Sequence, residues 1–488
     1  MADLILVLDE GTTSTRAILF DADGNTHGTA QTDLTQHYPK PGWVEHDATE
    51  IWQRTLDCAK ELVGKAKVDR IACIGITNQR ETVVAWDRRT LEPLCRAIVW
   101  QDRRTADFCM SLREQGHEDE VQRRTGLLLD PYFSGTKMRW LIDNEQAVTD
   151  AAKAGRLALG TVESWLVAKL SGGTHISDAS NASRTLLLPL DAAQFDPGLC
   201  ELLGVPADAL PHVTDTHGPL AETEESLFGR AIPITAMVGD QQSATIGQGC
   251  LAPGETKATY GTGAFVLANN GQELPTSDHR MLGTVLYQQD GVRTYAIEGS
   301  VFVAGSLVQW LRDSLGIIGT AEETEALACS VEDSGEVVIV PALAGLGAPH
   351  WRADARGVIA GLSFNSGKAQ IARAALEAMA HQTHDLAEAF AADGAEWKTL
   401  RIDGGMSAND WMAQDLANML ELRVERPDFV ETTALGAAIA ASVGAGLHCD
   451  LPSAAAAMRG GIQAFEPAMA DDVRKARLHR WRRALAAA

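Results

Sequence analysis

Leu4-Ile-Leu-Val-Leu8, Asp9-Glu10-Gly11-Thr12-Thr13-Ser14-Thr15-Arg16 and Ala17-Ile-Leu-Phe20 open the chain as two short apolar runs around a polar break. Apolar runs of this length on either side of a Gly- and hydroxyl-rich break predict a β-hairpin. Gly11 has no Cβ, so the backbone there can approach a ligand closely. Its N–H groups, with the hydroxyls of Thr12, Thr13 and Ser14, can bind phosphate oxygens; an ordinary polar turn is the other reading of the same residues. Asp9, at the strand end, can hold Mg²⁺ directly or through water, since that hard cation prefers carboxylate and water.

The arrangement recurs near the middle. Lys257 to Tyr260, Gly261-Thr262-Gly263 and Ala264 to Ala268 again read as strand, Gly/Thr turn, strand. Ala236 to Gly239 before Asp240-Gln241-Gln242, and Leu400 to Asp403 before Gly404-Gly405, read as a second mirrored pair of strand, Asp/Gly turn and helix. Duplication predicts two similar α/β domains facing each other across a cleft, with nucleotide phosphates pinned between the hairpins. The pattern resembles the actin-like ATPase superfamily, built from duplicated ribonuclease-H-like domains, and within it the FGGY family of carbohydrate kinases. The Pro/Gly break at Cys250-Leu-Ala-Pro253-Gly254 divides the chain into residues 1–250, expected to bind the polyol and carry the catalytic base, and 251–488, expected to bind the nucleotide.

Composition sets bounds. The 488 residues exceed one core's usual size and call for two domains. With 45% hydrophobic and 22% charged residues the chain reads as an ordinary globular protein. A net charge of −23 argues against a nucleic-acid partner. The eight cysteines form no C-x-x-C pair, which suggests reduced, mostly buried thiols. The first apolar run is too short for a signal peptide or membrane span, so a cytoplasmic location is expected.

Other stretches carry chemistry. Asp47-Ala-Thr-Glu50 has capping-box spacing, and Trp52, Leu56, Ala59 and Val63 share one face of the helix behind it. Arg80 and Glu81 follow a buried strand and read either as a solvated strand end or as a donor–acceptor pair for a polyol. Trp100 is a core aromatic or an apolar wall; Tyr132 packs on a helix or offers its phenol to a substrate hydroxyl. Asp240 ends a strand, where α/β folds expose reactive groups, and reads as a general base or a helix N-cap. Gly305 and Gln309 share a helix face. Leu202 to Leu227 reads as an acidic, loop-rich surface segment. Arg474 to Arg483 is basic, with Leu478, Trp481 and Leu485 as an apolar stripe, so a docked surface helix is expected.

The resemblance implies roles for these positions. Gly75-Ile-Thr-Asn-Gln-Arg-Glu-Thr82, Ala97 to Thr105 and Asp130 to Leu141 match motifs of family members that phosphorylate glycerol. It implies a glycerol site of Arg80, Glu81, Trp100, Tyr132, Asp240, Gln241 and Phe265, with Asp240 catalytic. ATP would be held by Thr12, Thr13, Ser14, Arg16, Thr262, Gly305, Gln309, Gly405 and Asn409, and Mg²⁺ by Asp9 and Asp240. A homo-oligomer, dimer or tetramer, is in keeping with the family. Glu10 and His350 depart from the Gln and Tyr common there, and an anionic Glu10 beside the phosphate turn would alter metal or nucleotide affinity. The region before Ile232 looks shorter than the Gly-rich regulatory loop of some members. Two other functions remain open: a kinase of another polyol or ketose, such as erythritol or xylulose, and an actin- or Hsp70-like ATPase acting through a partner. The latter has no reason to carry Arg80, Glu81, Tyr132 and Asp240 together.

Overall fold

The apolar runs of the first half pair into one sheet. The computed structural model describes residues 3–352, 354–429 and 431–488. β1 (Leu4–Glu10), β2 (Ser14–Asp21) and β3 (Thr26–Asp33) form an antiparallel meander. β4 (Ile71–Asn78) lies parallel to β1, β6 (Pro233–Gly239) parallel to β4, and β5 (His217–Glu222) antiparallel at the edge. The order is β5-β6-β4-β1-β2-β3. β5 falls within the Leu202 to Leu227 segment expected to be loop-rich surface. Its half-exposed residues are those of a sheet edge, where polar side chains and a proline are tolerated.

The second half repeats the plan with β7 (Glu255–Tyr260), β8 (Ala264–Gly271), β9 (Leu282–Gln289), β10 (Val292–Val301), β11 (Thr399–Asp403), β12 (Val424–Pro427) and β13 (Ile462–Phe465). The order is β9-β10-β8-β7-β11-β12-β13, with β11 parallel to β7 and β12 parallel to β11. The hairpin β1–β2 therefore corresponds to β7–β8, β4 to β11 and β6 to β12. This corrects the expected mirror pair: Asp403 ends the counterpart of β4, whereas Asp240 follows β6, one strand further out. A strand–Asp–turn motif is local and does not encode which neighbour its strand pairs with.

Helices α1 (Ala48–Ala66), α2 (Ser134–Asn144), α3 (Ala179–Ala182), α4 (Asp240–Gly247), α5 (Gly305–Asp313), α6 (Lys368–Ala392), α7 (Asp410–Leu420), α8 (Thr432–Gly444), α9 (Leu451–Met458) and α10 (Asp471–Leu485) surround the sheets. Asp47 caps α1 by accepting from Thr49 N at 2.8 Å, while Glu50 accepts from Thr35 Oγ1 at 3.1 Å. Ile51, Ala59 and Leu62 bury one face of the first sheet, and Trp52 is half-buried beside them. The opposite face, with Ile5, Val7, Cys73 and Val238, is covered by α8 and α9 from the far end of the chain. The break near residue 250 thus leads from α4 into β7, and the chain later returns to the first sheet.

The mirror-related helices are α4, after β6, and α8, after β12. They cross so closely that a Cβ on Gly436 would lie 1.8 Å from Ser243 O, and one on Gly247 2.0 Å from Thr432 O. On α10, Leu478 and Trp481 are buried, and Arg477 binds both oxygens of Asp415 at 2.6 and 2.8 Å. All eight cysteines are free thiols; five are buried, and Cys329 and Cys449 are exposed. Among the described residues, no helix is long and apolar enough to cross a membrane.

Candidate active site

Beyond Asn78 at the end of β4 the chain turns through Gln79, Arg80 and Glu81, with Glu81 in the left-handed region at φ 60°. That turn tucks both charged side chains inward. Arg80 Nη1 donates to Glu298 Oε2 at 2.6 Å and to Gln242 Oε1 at 3.4 Å, and Nη2 donates to the Tyr132 hydroxyl at 3.3 Å. Its Nε lies 3.2 Å from Asp240 Oδ1. Arg184, just past α3, donates from Nε to Glu81 Oε1 at 2.6 Å and from Nη2 to Glu298 Oε1 at 3.1 Å. Arg80, Glu81, Arg184 and Glu298 are all buried.

Isolated charges do not survive burial, so the pairing decides their state. Burial alone would raise Glu298, but the Arg184 and Arg80 guanidiniums hold it down at about 2. Burial raises Asp240 to about 6, against the pull of Arg80 and with a further push from Glu81. About a third of the Asp240 side chain remains accessible, with the exposed part 33% of its surface. The carboxylate is reachable from solvent, yet most of its surroundings are protein. Asp240 is the first residue of α4 and Gly239 occupies the cap position, so Asp240 is not the N-cap.

The walls come from separate loops. Trp100 Nε1 donates to Thr12 Oγ1 at 2.9 Å, tying the first turn to an aromatic that stands edge-on to Tyr132, ring centroids 5.7 Å apart. The Tyr132 loop is held from behind by Lys137, whose Nζ donates to the Tyr132 carbonyl at 2.5 Å; burial brings this lysine down to about 7. Gln241 Oε1 accepts from Lys257 Nζ at 2.6 Å, a buried lysine on β7. Phe265 is half-buried on β8, in register with Thr259 and Ser300.

In the first turn, Gly11 N donates to Ser14 O at 3.0 Å and Thr13 is exposed. Arg16 pairs with both Asp9 and Glu431, so the Asp9 carboxylate already has a cationic neighbour. Asp9 is the penultimate residue of β1 and Asp240 follows β6, both at the same end of the sheet with β4 between them. An all-carboxylate donor set of this kind fits a hydrated Mg²⁺. Glu10, expected beside the phosphate turn, turns instead toward α1, where its Oε2 accepts from Thr55 Oγ1 at 2.6 Å. Burial raises it to about 8, so it is mostly uncharged at neutral pH, and the anion anticipated beside the turn is absent.

The second turn is braced by the start of α5. Gly305 N donates to Gly261 O at 2.8 Å, and Ser306 Oγ to Thr262 O at 3.0 Å. A Cβ on Gly305 would lie 2.6 Å from Gly261 O and 3.2 Å from Met406 Cγ, so this glycine lets the turn, α5 and the Gly404-Gly405-Met406 loop meet. Gly405 is exposed with open space over its Cα. Gln309 is exposed on α5. Asn409 caps α7, its Oδ1 accepting from Met412 N at 2.9 Å. His350 Nε2 lies 2.9 Å from Asp385 Oδ2, linking its loop to α6.

Gln242, Arg184, Glu298 and Lys257 belong to this constellation, and sequence reading missed them. The available signal was a charged residue inside or beside an apolar strand, as in Tyr295-Ala-Ile-Glu298 and Thr256-Lys257-Ala258.

Duplicated sheets, two Gly/Thr hairpins and a charged floor under an aromatic wall define a two-domain small-molecule kinase. The chain belongs to the FGGY family of carbohydrate kinases: the family's N-terminal domain model matches residues 4–247 and its C-terminal domain model residues 256–445. It is 52% identical over 484 residues to the glycerol kinase of Rhodospirillum centenum, covering 99% of this chain and 97% of that one. It is 50% identical to the glycerol kinase of Alcanivorax borkumensis, covering 99% and 97%. The fold is similar to the crystal structure of Plasmodium falciparum glycerol kinase with ADP, with a TM-score of 0.95, 34% identity and coverage of 99% and 97%. It is also similar to xylulose kinase from Rhodospirillum rubrum, with a TM-score of 0.89, 25% identity and coverage of 99% and 98%.

Proposed function

We propose that this chain transfers the γ-phosphoryl group of ATP to glycerol, giving sn-glycerol 3-phosphate. The observation that carries the reading is the accessible Asp240 carboxylate, held by Arg80 at 3.2 Å within a floor shared with Glu81 and Tyr132. About 50% identity to glycerol kinases along nearly the whole chain supports it. Residues 1–250 supply the base and most of the polyol site, and 251–488 most of the nucleotide site. A cytoplasmic location and a homo-oligomer, dimer or tetramer, belong to the same proposal.

In this reading Arg80 donates to a polyol oxygen and Glu81 accepts from a hydroxyl proton, while Trp100 and Phe265 flank the carbon chain. A polyol hydroxyl placed at Asp240 loses its proton to the carboxylate as its oxygen moves onto phosphorus. A carboxylate raised to about 6 is still ionised at neutral pH and more basic than an ordinary aspartate, which suits it to that transfer. The turns at Gly11–Thr13 and Gly261–Gly263 bind phosphate oxygens, and Gly405, Gly305, Gln309 and Asn409 border the adenosine. Asp9 and Asp240 would hold Mg²⁺ through its water shell, and the cation supplies charge neutralisation for the triphosphate.

Asp240→Asn keeps the shape and removes the base. Turnover should fall at least about 10²-fold, the low end for loss of a general base, while glycerol and Mg-ATP still bind by calorimetry. Turnover within a few-fold of the parent would remove Asp240 from the chemistry.

A further inference from the structure

We infer that Arg184 and Glu298 are positioning residues for the polyol, acting through Arg80 and Glu81 as a closed ring of four alternating charges. This rests on the proposed kinase reading and adds two residues to its substrate floor. Around the ring, Arg80 donates to Glu298 at 2.6 Å, Arg184 donates to Glu298 at 3.1 Å and to Glu81 at 2.6 Å, and Arg80 Nε lies 3.9 Å from Glu81 Oε1. No side chain in the ring is more than 2% exposed. Two cations and two anions cancel, which is the condition under which four desolvated charges can stay ionised in one place.

Ring closure fixes what each member can offer a ligand. Arg184 holds Glu81 Oε1, and among the described residues Glu81 Oε2 accepts no hydrogen bond, so it is left for a hydroxyl proton. Arg184 Nη1 is buried with no hydrogen-bond partner, so the ring uses only two of this guanidinium's three nitrogens. The Arg184 guanidinium also lies over the rings of Tyr132 and Phe133, at 5.6 and 5.2 Å from their centroids, which restrains the wall beside the floor. Glu298 is the nearest of the carboxylates around Arg80, at 2.6 Å against 3.2 Å for Asp240 and 3.9 Å for Glu81. Without it, Arg80 would be drawn onto Asp240, whose Oδ1 is already 3.2 Å from Nε, and the geometry of both groups would be lost.

Glu298 stands on β10 of the second sheet, whereas Arg80, Glu81 and Arg184 come from the first half. The floor of the polyol site is therefore completed by the nucleotide half of the chain. The role belongs to the ring and not to either residue alone.

The test is steady-state ADP release by the full chain, titrating polyol at saturating Mg-ATP and Mg-ATP at saturating polyol, for E298Q and for the double variant R184M/E298M. Breaking one partner strands a buried charge, whereas removing one cation with one anion leaves the site neutral, so the double variant keeps the test alive if E298Q does not fold. Thermal midpoints are measured on the same samples. The polyol KM is expected to rise at least about 10-fold in each folded variant, with the ATP KM within about twofold of the parent. A double variant that melts near the parent and keeps the parent's polyol KM overturns the ring, as does an equal loss on both substrates that tracks the folded fraction. The parent's polyol preference is measured in parallel. A parent that prefers another polyol to glycerol contradicts the proposed substrate, and the ring is then judged on that polyol. A parent that turns over no polyol contradicts both.

Discussion

A carboxyl group one residue from the Gly11 turn is accommodated by losing its charge. Glu10 is fully buried, bonded to Thr55 and raised to about 8 from an ordinary 4.5. A carboxyl raised on folding favours the native state while protonated, and that contribution is lost as pH climbs from about 4.5 through about 8. Glu10→Gln, which is neutral at every pH, should melt close to the parent at pH 5. At pH 8.5 it should be the more stable by at least about 1 kcal/mol, less than one pKa unit's worth. A gap of the same size at both pH values in denaturation curves would show that burial of this group is not the cause. The same residue marks a limit of sequence reading. That Glu10 departs from Gln was legible, but its direction was not, because one residue along a strand decides which face a side chain joins. Arg80, Glu81, Tyr132 and Asp240 stand in motifs that carry the family resemblance, whereas the residues alone left a structural reading open at each. Glu298 gave only the local signal of a charge within an apolar strand and Arg184 gave none, since their partners lie 103 and 114 or more residues away.

Among elements, the two hairpins and the α1 cap were legible because turn residues and apolar periodicity act over a few positions. The pairing of α4 with α8 was not, since it is a contact between the ends of the two halves. These helices meet at Gly247 and Gly436 with no room for a side chain, and α8 is buried along almost its whole length. Its small residues serve close approach to α4 and the first sheet. Gly436→Ala would place a methyl group 1.8 Å from the Ser243 carbonyl oxygen, so the helices must separate. A loss of ~1–3 kcal/mol is expected, typical of overpacking, and chemical denaturation measures it. A variant as stable as the parent would mean that the crossing has slack. The edge strand β5 was hidden for the opposite reason: its residues read as loop because an edge needs little apolar surface.

Across the whole molecule, the halves are joined by the packing of α8 and α9 on the first sheet and, under the site, by polar contacts that include Arg80 and Arg184 to Glu298, Lys257 to Gln241, Gln248 to Asp403, and Arg16 to Glu431. The turns proposed to bind phosphate, the proposed base and the proposed polyol floor are thereby assembled from both sheets, and neither half holds them all. Duplication told the sequence reader to expect two facing domains; the return of α8 and α9 to the first sheet was beyond it. The same arrangement separates the three functions open at the outset. A partner-driven ATPase needs the two turns but not the floor, and a kinase of a longer substrate needs the floor with more distant walls. ADP release from Mg-ATP is therefore the decisive measurement, with glycerol, erythritol, xylulose, ribulose and no acceptor compared side by side. Selective, strong stimulation by glycerol with little release in its absence is the expected result. Equal release with and without every acceptor, or a clear preference for one of the longer substrates, would contradict glycerol phosphorylation as the activity of this chain.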